Sequence, residues 1–445
     1  MSHINKVENS QEKNKLSLVE LISLAVGTMI GASIFTLLAT GAKIAGYYLP
    51  LALFLSGLLA LTVAYSYANL GKKIISDAGP IAFILKAFGD NLIVGVISLL
   101  MWFTYVVSLA LFAKGFAIYF CPLLGIKNKT IVEVSVLLFF MILNFFGSKF
   151  IGSLEKYMVF IKVGILAFFV LIGTFTLKHI TFSNFNPTNV FVATILFFLS
   201  YIGFGLVTNA SEHAQNPEKN IPRAIYWSIL IVMLIYISVA FVVVQHVNNF
   251  NNIGENVLAQ ITSSIIGKFG YILVSIGAII STLSAINATL YGGTNIAYSL
   301  AKKGELPEFF ERKTWFNEPE GLYITTFLAI IFTLFFNLES VASIISLVFF
   351  IIYSLVLIAH IKLIEKREVE GNKKLVIFNL LVLSFVFISF LIYNFKENPK
   401  VFVTFTIVVI IAFLIELFIK SKNLRNFENY LRKLEQKIKE REKQN

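Results

Sequence analysis

The sequence predicts an all-α membrane protein of twelve transmembrane helices: two inverted sets of five, each opening with a broken helix, and two further helices at the end. Three observations predict it. The chain has 445 residues, 57% hydrophobic and only 14% charged, with a mean hydropathy of +0.80, far too apolar for a string of soluble domains. Apolar runs recur along most of its length, and about 20 such residues cross a hydrocarbon core of about 30 Å. The first and sixth runs are interrupted by glycine, at Val26-Gly27-Thr28-Met29-Ile30-Gly31-Ala32-Ser33 and Ser200-Tyr201-Ile202-Gly203-Phe204-Gly205.

Residues 1–15 are polar and mixed in charge, and read as a cytoplasmic N-terminal segment. The apolar stretch after them is too long for a signal-peptide core and ends in no small-residue cleavage pattern, so the first span is expected in the mature protein. Spans one to five are expected at 16–42, 49–70, 93–120, 131–146 and 154–177, making a first repeat over 16–177. Spans six to ten, at 190–210, 224–244, 270–300, 322–336 and 341–363, make a second over 190–363. Because five is odd, the second set enters the membrane with the opposite orientation, the inverted-repeat arrangement. Spans eleven and twelve, at 375–393 and 401–419, fall in a segment 375–419 outside the repeat. In the basic tail 420–445, Phe427, Leu431, Leu434 and Ile438 recur at helical spacing, which fits either an amphipathic helix on the anionic inner leaflet or a solvated one. No loop is long enough for a separate domain; the longest external one, 245–269, is rich in Asn.

The net charge of +12 does not point to nucleic acid, because the basic residues sort by loop. Lys72, Lys73, Lys86, Lys219, Arg223, Arg312, Lys366 and Arg367 fall on one side of the predicted topology, and the other side is sparse in Lys and Arg. The positive-inside rule then places both termini in the cytoplasm of a multi-pass cell-membrane protein. Cys121 is the single cysteine, which excludes a disulfide framework or a cysteine-rich metal site within one chain. Neither a phosphate loop nor an H-E-x-x-H zinc motif occurs, so ATP-driven transport by this chain alone and zinc-protease chemistry are unsupported. No catalytic group, cofactor, metal or obligatory protein partner is expected. The pattern is that of a transporter drawing on an ion gradient or on exchange.

A helix interrupted inside the bilayer leaves N–H and C=O groups that hydrocarbon does not tolerate unless they line a cavity or hold a ligand. Matching interruptions in two halves point to a midplane substrate site. Lys162 lies in the fifth span with no acidic residue within helical reach there. A lysine at a helix centre costs about 2.5 to 3.5 kcal/mol on insertion scales and marks ion or proton pathways. Burial disfavours its charged form, which makes Lys162 a candidate proton carrier; the alternative is snorkelling toward the interface. In the eighth span Gly277, Ser281, Ser284 and Ala288 share one face. That face serves close packing, or presents the Ser281 and Ser284 hydroxyls to the broken first helix, or both. Lys114, close enough to the outer end of its span to snorkel, and Glu416, near the inner end of its own, read as structural, as do Asn144, Asn209 and Asn287, with Asn287 at the border of the site.

The string V-G-T-M-I-G-A-S-I-F and the later run F-F-L-S-Y-I-G-F-G-L-V-T-N-A-S-E-H-A-Q-N-P-E-K-N-I-P-R-A-I resemble motifs of the amino acid, polyamine and organocation (APC) superfamily. With A-I-N-A-T-L-Y-G-G and the fifth-span lysine, the chain looks most like ApcT-type archaeal permeases, broad-specificity amino acid transporters coupled to protons. The resemblance implies a LeuT-like fold in which Lys162 stands where sodium-coupled relatives hold a cation between the first and eighth helices. It implies that a substrate carboxylate meets N–H groups of Ala32, Ser33 and Ile34 after Gly31, as the positive end of a half-helix favours. The amine would meet C=O groups of Leu199, Ser200 and Ile202, beside Gly203. Leu199 departs from the Phe or Trp lid of many members. The broken segments contain no acidic residue, which favours neutral, small to medium substrates. Phe204, Glu212, Arg223 and the N-P-E-K-N-I-P turn are the gating candidates. The expected activity is sodium-independent import of amino acids by proton symport, with exchange, or an amino acid sensor, as alternatives. The expected partners are the substrate, protons and the lipid bilayer.

Overall fold

Helix boundaries fall where the sequence supplies caps and breakers in the computed structural model, which describes residues 15–31, 33–76, 78–144, 149–176, 185–302, 310–313 and 319–421, the backbone alone at 149–157 and 300. Ala32, the segment before residue 15 and the tail helix expected after residue 421 lie outside the described residues. Ser17 and Glu20 form a reciprocal capping box that opens α1, Leu18–Met29, satisfying two N–H groups that a helix start leaves unpaired. Helix α2, Ser33–Ala45, passes through one 3-10 turn, Gly46–Tyr48, into α3, Leu49–Lys73. Helix α4, Pro80–Phe88, is a short one that the sequence reading did not anticipate, with proline in its first turn where a missing N–H costs nothing. Asn91 caps α5, Leu92–Leu124, which is followed by α6, Lys129–Asn144, and α7, Lys149–Thr174.

Asn186 caps α8, Pro187–Phe198, which gives way to a 3-10 stretch, Leu199–Gly205, and the short α9, Leu206–Asn209. Then come α10, Pro217–His246, and α11, Val257–Lys302, kinked at Ile266 and Gly267. Gly267 has φ +68, a conformation that side chains resist. The kink explains why hydropathy started the eighth span at 270: the first turns of α11 lie in the loop read as irregular. The remaining helices are α12, Glu320–Phe335, α13, Leu338–Glu365, α14, Lys373–Glu397, and α15, Pro399–Ser421.

The chain is all-helical and multi-pass. Eight helical segments are long and apolar enough to cross a membrane, and Leu18–Met29, Met158–Thr174 and Glu320–Phe335 are shorter apolar helices. The number falls short of twelve because Ser33–Lys73 runs as one helical stretch through the end of the first expected span and the whole of the second, and because the apolar helices of the fourth, fifth and ninth spans are short, Lys129–Asn144 and Glu320–Phe335 having 16 residues each, against the about 20 that a full crossing needs. Helix α10 packs on α1 and α3, and α3 on α8, while α5 packs on α11, α12 and α13, and α7 lies on α11. Helices α14 and α15 flank α13 and expose Phe378, Leu381, Phe385, Ile410 and Leu414, as lipid-facing helices do. Lys114 does not snorkel: its Nζ lies 3.3 Å from the Glu133 carboxylate and donates to the Thr333 C=O at 2.7 Å. That ion pair ties α5, α6 and α12 together. Glu416 is fully buried and packs over Gly95 of α5.

Candidate functional site

The two interruptions meet at the centre of the molecule. At the first, the Ile30 N–H returns to the Val26 C=O at 2.8 Å and the Gly31 N–H to Thr28 at 3.2 Å, and the helix resumes at Ser33. At the second, the chain tightens into 3-10 geometry from Leu199. Gly203 lets the two backbones touch: a Cβ there would lie 2.8 Å from the Met29 nitrogen and 3.0 Å from the Thr28 carbonyl carbon.

Hydroxyls from surrounding helices satisfy the carbonyls freed by the breaks. Tyr236 of α10 donates to the Met29 C=O at 2.5 Å and lies 3.4 Å from the Ser200 C=O, so one phenol spans both interruptions. Tyr353 of α13 reaches the Ile202 C=O at 3.4 Å. Ser281 of α11 donates to the Gly31 C=O at 2.6 Å, with the Ile30 C=O at 3.2 Å. Lys162 is 1% exposed, which excludes snorkelling, and its Nζ donates to Ser284 Oγ at 3.0 Å. Two serines one helical turn apart thus hold the ammonium on one side and the broken first helix on the other.

Beside the breaks lies a cavity of about 140 Å³. An apolar cavity of about 150 Å³ admits a benzene-sized molecule, so the space suits a compact solute. Thr28, Met29, Ser33, Leu199, Ile202 and Gly203 supply its wall at the interruptions, and no lining residue is charged. It continues along Thr104, Tyr105 and Ser108 of α5 and past Thr289 and Asn209 to Pro80 of α4, so it runs from the breaks toward the side that carries α4.

Of the expected binding residues, Ser33, Leu199, Ile202 and Gly203 line the cavity, while Gly31, Ile34 and Ser200 do not. The Gly31 carbonyl is engaged by Ser281, Ile34 is fully buried, and the Ser200 carbonyl faces Tyr236. Aromatic rings of α13, Phe349 and Tyr353, also join the wall. Sequence reasoning missed the tyrosines; the available signal was phenols in otherwise apolar spans, which seek hydrogen-bond partners when buried.

Residues 16–418 match the family described as Amino acid permease. The chain belongs to that family. The permease is a transporter of the APC superfamily and not an enzyme. It is 49% identical over 428 residues, 94% of its own length and 98% of the relative's, to an uncharacterized protein of Methanocaldococcus jannaschii. It is 30% identical to the inner membrane transport protein YbaT of Escherichia coli, with 86% of this chain and 91% of that one covered. It is 26% identical to the methylthioribose transporter of Bacillus subtilis, with 82% and 85% covered.

On the α4 side, the segment that holds the gating candidates Glu212 and Arg223 is tied to its neighbours by backbone contacts. Arg223 is exposed on α10. The contact there is made by backbone: Leu16 pairs with the loop after α9, its N–H donating to His213 C=O at 2.6 Å and its C=O accepting from Gln215 at 2.8 Å. Ser211 Oγ accepts from the Ser76 N–H at 2.9 Å, adding the end of α3. Asn220 donates to the Gln215 C=O at 2.6 Å. Phe204 is buried, edge-on to Tyr67 at 5.4 Å and stacked with Tyr353 at 5.9 Å. Both rings line the cavity, which Phe204 itself does not.

Proposed function

We propose that the permease imports neutral, small to medium amino acids by proton symport without sodium, alternating access around the two breaks. The observation that carries this reading is the buried Lys162 ammonium on Ser284, one turn from the serine that holds the broken first helix. A cation fixed there does for the helix break what a bound sodium ion would do, and its loss of a proton would loosen the joint. The zwitterion would set its carboxylate at the first turn of α2, where the N–H groups of Ser33 and Ile34 lack partners within the helix. Its amine would meet the carbonyls of Leu199, Ser200 and Ile202, each carbonyl retaining a second lone pair beside any tyrosine bond. The uncharged wall offers no partner to a cationic or anionic side chain.

The reading includes twelve crossings in a LeuT-like 5+5 inverted repeat, both termini in the cytoplasm of the cell membrane, and no obligatory protein partner. The bundle of α1, α3, α8 and α10 rocks against the remainder, and Phe204, Glu212 and Arg223 belong to the inner gate. The test is uptake of labelled alanine into proteoliposomes under an inward proton gradient, with and without sodium, for the wild type and Lys162→Ala. Accumulation without sodium that disappears in Lys162→Ala, with binding retained, is the expected result. Undiminished gradient-driven accumulation by Lys162→Ala overturns the proton role. Uptake of methylthioribose in place of alanine would move the substrate class to that of the Bacillus relative.

A further inference from the structure

Beyond Ser284, the partner of Lys162, helix α11 is divided by face. At about 100° per residue, Asn287, Tyr291, Thr294, Asn295 and Tyr298 continue the Ser284 flank toward Lys302, with Ala288 the single apolar residue among them. Ile286, Leu290, Gly293 and Ala297 occupy the opposite flank. Thr289, which lines the substrate cavity, stands about 140° around the helix from Ser284.

Two polar atoms on this flank are buried without a hydrogen-bond partner among the described residues. Asn287 is 5% and Thr294 6% exposed, and Asn287 Oδ1 and Thr294 Oγ1 have no hydrogen-bond partner among the described residues. Buried acceptors of this kind are normally satisfied by ordered water. Next to them Tyr291 and Asn295 are exposed, and an amide facing hydrocarbon would be costly, so the exposed strip faces water. Ten residues from Ser284 to Thr294 cover about 15 Å, half of a hydrocarbon core of about 30 Å.

We propose that this flank of α11 is the route by which the Lys162 proton reaches the α4 side, separate from the cavity through which the substrate leaves. The proposal rests on the reading of Lys162 as the proton carrier. One N–H bond of the ammonium breaks, its electron pair stays on Nζ, and a neutral amine remains beside Ser284. The proton passes to water held at Asn287 Oδ1, then to water at Thr294 and Asn295, and leaves as hydronium; nothing is oxidised or reduced. Two exits on two faces of one helix allow proton and substrate to depart independently.

The test uses proteoliposomes holding a pH-sensitive dye and the double variant Asn287→Leu/Thr294→Val. Two quantities are read: exchange of labelled for unlabelled alanine at equal pH, and proton entry driven by alanine. Exchange is expected at the wild-type rate, while proton entry falls about tenfold because the water chain loses its anchoring groups. Proton entry equal to wild type overturns the route. Should the double variant fail to fold, Asn295→Leu, at an exposed position, must slow proton entry severalfold, and an unchanged rate overturns the proposal equally. Thr289→Val, on the cavity flank, is expected to alter exchange and leave the protons carried per alanine unchanged. If the wild type itself moves alanine without proton entry, the proton-carrier reading of Lys162 fails, a result distinct from a coupled wild type with an insensitive double variant.

Discussion

Tyr236 joins two carbonyls that belong to different interruptions, so its removal is felt at both. A buried carbonyl left without a partner costs about 1–3 kcal/mol, and each 1.4 kcal/mol is about tenfold in affinity. Tyr236→Phe is therefore expected to raise the substrate concentration for half-maximal uptake about tenfold, measured in proteoliposomes. Gly203 has no such margin. A Cβ there meets backbone atoms of Thr28 and Met29, which cannot move aside as a flexible side chain can, so Gly203→Ala is expected to abolish uptake while purified yield stays measurable. A variant that transports at the wild-type rate would show that the two breaks do not need this close approach. Gly203, Lys162 and both serines could be singled out from sequence because glycine and charge are conspicuous in apolar spans. Tyr236 and Tyr353 gave only the weaker signal of a phenol in an apolar span, which calls for a hydrogen-bond partner but does not say that the partner is a freed carbonyl.

At the scale of helices, the Lys114–Glu133 pair is the clearest structural device, joining α5 to α6 while Lys114 also reaches α12. Removing one member of a buried pair costs about 3–5 kcal/mol because the other charge is left behind. Lys114→Met is expected to lower the melting temperature of the purified permease, and adding Glu133→Gln to restore most of the loss. Melting unaffected by Lys114→Met would show that water already screens the pair. Sequence reading placed Lys114 close enough to the outer end of its span to snorkel and took it as structural, because a single span does not show what a neighbouring helix brings to it. The partner lies on the next helix. Helix α4 escaped notice because nine residues are too few to stand out from a loop by apolar periodicity.

At the scale of the whole molecule, the contacts on the α4 side divide into two kinds. Leu16 with Ala214 and Ser211 with Ser76 link segments of the bundle to each other. His360 Nδ1 with Ser66 Oγ at 2.9 Å and Lys72 with Glu370 at 3.1 Å link the bundle helix α3 to α13 and the loop after it. If the bundle moves as one body, a disulfide engineered between Leu16→Cys and Ala214→Cys leaves uptake intact, whereas one between Ser66→Cys and His360→Cys stops it until reduced. The native Cys121 is buried and does not compete. Loss of uptake on closing the first bridge would show that the first and sixth segments separate during the cycle.

Composition and hydropathy alone determined that the chain is a helical, multi-pass membrane protein, because an apolar span long enough to cross a bilayer is a local property of sequence. Two glycine interruptions and one lysine likewise marked the candidate site, because each violates a rule that lipid enforces on single helices. Only the tertiary structure decided what satisfies those violations: Ser284 under Lys162, Ser281 on the first break, Tyr236 across both, Glu133 beside Lys114, and Leu16 against the loop after α9. These partners are remote in sequence, and their choice depends on how helices pack and rotate against one another, which no single span encodes.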